Sequence, residues 1–389
     1  MSEDSPRDLV PLGTVLREWG RIGVIGFGGP PAHITMLREL CVEKNAWLSA
    51  FEFEDAVATC NLLPGPSSTQ LSIFCGYRVR GALGALVGGT AFILPGLLVI
   101  LGLAALFLTG TPPVWLLGAG AGAGAAVAAV AVQAGWTLLP ASWLRRSNTL
   151  RFIVYVAAGA LAAAFLGSYV VVVLLACGVL EMSGHLLIRG FGGRLGPGAV
   201  VPLLAGITSV AGTWLALSWV AVKVGFLSYG GGFVIVPLMR HDAVDRYGWM
   251  SSEQFLNAVA LGQVTPGPVL HTVAVVGFAA AGVLGALVAA LIAFAPSFLL
   301  ILVGARHFPV IRADVRARAF LDGAGPAAIG AIMGVAVPLG LSISTAWQLG
   351  TLIASAFLLL VLRRPPFYVL LLAGAFGIVA AIAGAAIPG

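Results

Sequence analysis

Residues 61–70 read NLLPGPSSTQ, and 202 positions further on, at 263–272, the chain reads QVTPGPVLHT. Each Pro-Gly-Pro lies inside an apolar stretch that would otherwise run on as a helix. Proline removes a backbone donor and its ring collides with the preceding turn, so both helices must stop at the triplet. The surroundings are too apolar for a soluble loop: of 389 residues, 59% are hydrophobic and 9% charged, and mean hydropathy is +1.03. Such a composition belongs to a polytopic membrane protein. Apolar stretches of helix-spanning length recur from about residue 82 onward, without the short alternating segments of a β-barrel. The opening MSEDSPRDLVPLG is mixed in charge and has no apolar core, so no secretory signal is expected there. The net charge of +6 sits in short connections between apolar stretches, which points to topology control and away from nucleic acid. Cys41, Cys60, Cys75 and Cys177 are scattered without ligand spacing, so neither a metal nor a cofactor is expected.

The triplets belong to a longer internal repeat. Residues 21–66 align without a gap onto 223–268. Arg21 falls on Lys223, Phe27-Gly28-Gly29 on Tyr229-Gly230-Gly231, Trp47 on Trp249 and Asn61 on Gln263. After a slip of one residue, RGALGALVGG at 80–89 matches AGVLGALVAA at 281–290, and Pro95 matches Pro296. The chain therefore reads as two homologous membrane repeats, 12–190 and 216–389, joined by a linker at 191–215.

Spans are expected at 14–37, 54–76, 82–108, 114–139, 151–166 and 168–187, and again at 216–238, 255–279, 282–304, 320–340, 346–362 and 367–386. The glycine-interrupted 14–37 and 216–238 admit a re-entrant alternative. Arginines follow the second, fourth and sixth spans of the first repeat, at 78–80, 145–151 and 189–194, but the third and fifth of the second, at 306–318 and 363–364. Placing every cluster in the cytoplasm inverts one repeat relative to the other. The unmatched apolar segment 199–215 supplies the extra crossing this needs. The expected fold is an all-α polytopic membrane protein. It is an inverted-topology repeat with broken or re-entrant helices and about 13 spans, its N-terminus cytoplasmic and a homodimer left open.

Interrupted helices in matching positions of an inverted repeat point to the mid-bilayer site of a secondary transporter. A helix restarting after Pro64, Gly65 and Pro66 presents unpaired N–H groups and its positive dipole end, both suited to an anion. Pro266, Gly267 and Pro268 repeat the device. The glycines at 28–29 and 230–231 let backbone amides form an anion-accepting concavity, or serve helix packing. Arg21 and Lys223 are candidate fixed cations, with interfacial snorkelling as the alternative. Asn61, Ser67, Ser68, Thr69 and Gln70, with Gln263, Thr265, His271 and Thr272, offer neutral groups to oxyanion oxygens. Asp55 and His271 are candidates for proton coupling, while Glu52 and Glu54 suit a helix start.

The paired aromatic-Gly-Gly segments, Trp47 and Trp249 after charged loops, and the N/Q-x-x-P-G-P motif in each half resemble the chromate ion transporter family in its long, two-domain bacterial form. The resemblance implies export of chromate from the cytoplasm, with sulfate as structural mimic, and hence chromate resistance. It carries family motif positions onto Phe27, Gly28, Gly29, Asn61, Pro64, Gly65 and Pro66, and onto Tyr229, Gly230, Gly231, Gln263, Pro266, Gly267 and Pro268. Sulfate or another oxyanion or organic anion is the alternative cargo. An enzyme is disfavoured, since HExxH and GxSxG are absent, and so is ATP-driven transport, since no P-loop is present.

Overall fold

The computed structural model describes residues 9–61, 63–108, 112–144, 146, 148–188, 212–228, 234–305, 308 and 314–387. All regular structure among them is helical. The first expected repeat contains α1 (Leu12–Ile25), α2 (Pro30–Arg38), α3 (Ala50–Cys60), α4 (Ser67–Leu108), α5 (Val114–Leu144), α6 (Thr149–Leu161) and α7 (Val170–Ile188). The second comprises α8 (Thr213–Leu227), α9 (Ile235–Arg240), α10 (Ser252–Val264), α11 (Thr272–Gly304), α12 (Val315–Gly334), α13 (Ala336–Leu341), α14 (Ala346–Ala356) and α15 (Pro366–Ile382). Local devices recur at matching places. α2 and α9 both end in a π turn, at Glu39–Lys44 and His241–Arg246. α3 and α10 both start with a capping box, Ser49 with Glu52 and Ser251 with Gln254.

The long α4 is a hairpin and not one rod. Arg80 and Gly81 leave the helical conformation, with Gly81 at φ 64°, a region nearly closed to other residues. The chain doubles back so closely that a Cβ on Gly84 would strike the Gly76 carbonyl, and Ile73 lies on Gly89. α11 repeats the reversal at Ala281 and Gly282, with Gly277 against Gly285.

The Pro-Gly-Pro segment consequently turns back too. Glu52, at the start of α3, forms an ion pair with Arg78, at the end of the first limb of α4. Both ends of the α3–α4 hairpin therefore lie at one level and the triplet at its far tip. α1 and α2 form a second hairpin opening the same way. Val10 N–H donates to Val79 O at 3.3 Å, and Arg38, at the end of α2, pairs with Glu54 at 3.2 Å. At 1.5 Å per residue, the 11 residues of α3 reach about 16 Å and the 14 of α1 about 21 Å. A hydrocarbon core is about 30 Å thick, so each of these limbs is shorter than a full crossing. Residues 14–37 and 54–76 are thus helical hairpins, which for 14–37 agrees with the re-entrant alternative. Hydropathy alone registers an apolar stretch and not a reversal within it.

Five helical stretches among the described residues are long and apolar enough to cross a membrane: Ser67–Leu108, Val114–Leu144, Thr149–Leu166, Val269–Gly304 and Arg318–Leu341. Shorter apolar helices include Val170–Gly184, Ala346–Val361 and Pro366–Ile382. Most of the expected crossing at 199–215 lies outside the described residues.

The repeats interlock by exchanging their last helices. α15 packs on α5, with Gly118 against Ala381 and Gly122 against Ala373, and α7 packs on α12, with Gly178 against Phe320 and Gly323 against Glu181. Glycine at these crossings lets backbones touch. Both pairs are antiparallel: Gly118 and Gly122 meet Ala381 and Ala373 in reverse order. α12 runs with α6, Gly159 at Ala327 and Gly334 at Ala160, hence against α7, although α5 and α7 run the same way in the chain with α6 returning between them. One end of the molecule carries Arg78, Arg151 and Arg316: Arg151 pairs with Glu181 at 3.4 Å, Arg316 and Met182 line one cavity, and Phe308 stacks on Phe74, one helical turn from Arg78, at 5.0 Å.

Candidate functional site

The hairpin tips of the two repeats meet. The Gly267 N–H of the second triplet donates to the Gly26 carbonyl at the tip of α1, at 2.9 Å. Reciprocally, the first triplet lies against the tip of α8: a Cβ on Gly65 would stand 3.2 Å from the Gly225 carbonyl. A Cβ on Gly26 would stand 2.5 Å from the Ile22 carbonyl and 2.9 Å from the His33 ring, and Gly267 lies at φ 91°, so both positions call for glycine. Gly28 and Gly29, at φ 100° and 72°, then reverse the chain into Pro30 and Pro31 of α2. Proline is tolerated in that first turn because its missing N–H has no intrahelical acceptor.

His33 ties this meeting point together. Its Nε2 lies 2.9 Å from the Gly26 carbonyl and its Nδ1 3.4 Å from Ser68 Oγ. A carbonyl only accepts, so Nε2 carries the proton and Nδ1 accepts from the serine hydroxyl. The imidazole is fully buried and meets Phe92 edge-on at 4.9 Å. Beyond it, the first limb of α4 begins. Gln70 N–H donates to Pro66 O at 3.0 Å, the first bond of that helix. The amides of Ser67, Ser68 and Thr69 are left without a backbone acceptor among the described residues, as helix geometry requires. Gln70 Nε2 donates back to Pro64 O at 2.6 Å. Thr69, Gln70 and Ser297 are fully buried. Among the described residues Thr69 Oγ1, Gln70 Oε1, Ser297 Oγ and Thr265 Oγ1 have no hydrogen-bond partner. Buried polar groups are ordinarily satisfied, and a cluster of open ones marks room for a polar guest.

The structure gathers part of the candidate set. Gly65, Pro66, Ser67, Ser68, Thr265, Pro266, Gly267, Pro268 and His271 are buried in this central region. Pro64 stays exposed and lines a cavity of about 470 Å³, with Leu174, Phe226, Phe320 and, at the arginine-bearing end, Arg316. Phe27 packs on Phe367 at 4.7 Å. Asn61 caps the C-terminal end of α3 and is exposed, and Gln263 is half-buried with its Nε2 unpartnered among the described residues. Asp55 lies half-buried on α3. Arg21 is exposed on the outer side of α1, while Lys223 forms an ion pair with the fully buried Asp242. Lys223 is thus neutralised inside the second repeat, as a charge at membrane depth must be. Tyr229, Gly230 and Gly231 lie outside the described residues.

Two residues at the centre escape the sequence reading. His33 stands alone, with Ile235 at the aligned position, so the repeat comparison carries no signal for it. Ser297 follows Pro296 as Gly96 follows Pro95, and that substitution of serine for glycine was the available clue.

Converging half-helices inside a polytopic helical membrane protein define a transporter-type architecture. The chain belongs to the chromate transporter family: that family's model matches residues 13–182 and 215–378. A probable chromate transport protein of Synechococcus elongatus is 30% identical over 327 residues, covering 82% of each chain. The chromate transport protein of Cupriavidus metallidurans is 32% identical over 325 residues, 82% of this chain and 80% of that one. That of Pseudomonas aeruginosa is 30% identical over 338 residues, 82% of this chain and 79% of that one. No solved structure matches the chain.

Proposed function

We propose that the protein is a secondary transporter that carries chromate, a tetrahedral dianion, out of the cytoplasm. The observation that carries this reading is the meeting of the Gly26 and Gly267 tips beside the free N-terminal amides of Ser67, Ser68 and Thr69. Those amides and the helix dipole favour negative charge, and the surrounding hydroxyl and amide groups suit oxyanion oxygens. Backbone left open at this depth is tolerated where it lines a cavity or a bound solute. Family membership supports transport in preference to catalysis.

Orientation and direction follow from charge. Placing the arginine-bearing end in the cytoplasm keeps the N-terminus there, and the antiparallel pairing of α5 with α15 and α7 with α12 supports repeats of opposite sense. A cavity lined by Arg316 and Pro64 lies beside the first tip, whereas Pro266 at the second tip is buried. A dianion leaving an interior about 100 mV negative gains about 4.6 kcal/mol, so export can run on the membrane potential, with or without proton exchange. Sulfate shares the charge and shape of chromate and is expected to compete. Uptake of radiolabelled chromate into inside-out vesicles, with potential and pH gradient set separately, tests the reading. Uptake driven by an interior-positive potential and inhibited by sulfate is expected; vesicles that take up no chromate under any gradient contradict it.

A further inference from the structure

The repeats build their two tips from different side chains. After the first triplet come Ser67, Ser68, Thr69 and Gln70; after the second come Val269, Leu270, His271 and Thr272. The residues facing them across the repeats differ as well. Ser297, on the second limb of α11, faces Gly65: its Oγ lies 3.6 Å from the position a Gly65 Cβ would take. That hydroxyl is fully buried and without a partner among the described residues. Gln70 Nε2 lies beside it, 2.7 Å from the same position, and spends only one N–H on Pro64 O.

At the second tip the equivalent space is filled. The residue aligned with Ser297 is Gly96, and the His271 imidazole sits over it, its Nδ1 2.9 Å from where a Gly96 Cβ would stand. The same ring lies 3.0 Å from the Cβ position of Gly267, and Phe294 closes on its other side at 5.3 Å. Val269 and Leu270 add no donors there. Backbone geometry is thus shared between the tips; the second has polar groups of its own in Gln263, Thr265 and the His271 ring, unpartnered among the described residues, but there the imidazole itself occupies the space beside Gly96 and Gly267.

We infer that the protein holds one tetrahedral oxyanion at a time, at the first tip. The donors are the amides of Ser67, Ser68 and Thr69, the Ser297 hydroxyl and the second N–H of Gln70. The second tip is an abutment, plugged by His271, that holds Gly26 in place. This rests on the oxyanion reading above and adds where the ion sits. The seat also spans both repeats, since Ser297 belongs to one and Ser67–Thr69 to the other. A shift between the repeats therefore takes a donor away from the ion, which is what release requires.

Equilibrium dialysis of radiolabelled chromate against the full chain in lipid nanodiscs tests the assignment. One ion per chain is expected. Ser297→Ala, which removes one oxygen from a packed site, is expected to weaken binding about tenfold with the thermal transition unchanged. Gln70→Glu sets a carboxylate beside the seat. It is expected to abolish binding at neutral pH and to regain it in acid as the carboxyl protonates, a response to charge sign that a packing role would not give. Two ions per chain, or unchanged affinity in Ser297→Ala, overturn the inference while leaving the oxyanion reading intact. A wild-type chain that binds no chromate removes both.

Discussion

The two Pro-Gly-Pro tips share a backbone and differ in what surrounds them. Both end a capped helix, both put glycine in the left-handed region, at φ 116° for Gly65 and 91° for Gly267, and both reach the opposite repeat. The first is followed by Ser67, Ser68 and Thr69 and braced by His33; the second is followed by Val269 and Leu270, with Ile235 where His33 would stand. The second repeat in turn owns the buried Lys223–Asp242 pair, where the first has Arg21 and Leu40. Symmetry is retained where the chain must reverse and meet its counterpart. It is lost in the side chains that surround each tip. The contrast teaches that an internal repeat can fix a shared frame while its halves divide the work between seat and support.

The largest expected effect breaks the first tip. In Gly65→Leu a side chain must enter a positive-φ site already crowded by Gln70 and the Gly225 carbonyl. Chromate flux in vesicles should fall about a hundredfold or more at normal protein level, since displacing a bound group by about 1 Å has costs of that order. Normal flux would remove the first tip from the pathway.

A second contrast sets Lys223 against Arg21. Asp242→Asn leaves a lysine uncompensated inside the second repeat and should destabilise the purified protein by about 3–5 kcal/mol. The double variant Lys223→Met with Asp242→Leu should recover most of this. Arg21→Met, on an exposed side of α1, should leave the thermal transition near wild type. A fall in stability for Arg21→Met equal to that for Asp242→Asn would mean that the first repeat hides a matching pair.

The smallest expected effect sharpens the bracing role of His33. His33→Ala removes the contacts to Gly26 and Ser68 and should cut flux about tenfold, with His33→Gln recovering part of it. Flux unchanged in His33→Ala would detach the imidazole from the meeting of the tips.

Much of this frame is legible in the residues themselves. The gapless match of 21–66 with 223–268 announces two repeats, and Pro-Gly-Pro announces two breaks, because proline and glycine act on the backbone directly. The capping role of Glu52 is equally local, since Ser49 and Glu52 stand at capping-box spacing. What the residues conceal is the direction the chain takes after a break. That depends on Glu52 meeting Arg78 and Gly76 meeting Gly84, contacts between surfaces that no periodicity encodes. Partners of single residues are hidden for the same reason. Lys223 looks like a free cation until Asp242 is folded against it. Ser297 looks like one more small residue on a transmembrane helix until it faces Gly65.

The central claim is that the broken segments are hairpins that enter and leave on one face, and that the second repeat does so from the opposite face. Single cysteines at Asn45, Ala82, Arg246 and Val283, in a background lacking Cys41, Cys60, Cys75 and Cys177, bracket the α3–α4 and α10–α11 hairpins. Labelled with a membrane-impermeant thiol reagent in intact cells and in inside-out vesicles, Asn45→Cys and Ala82→Cys should react from the cytoplasmic face. Arg246→Cys and Val283→Cys should react from the other. Finding 45 and 82 on opposite faces, or all four on one, would contradict the account.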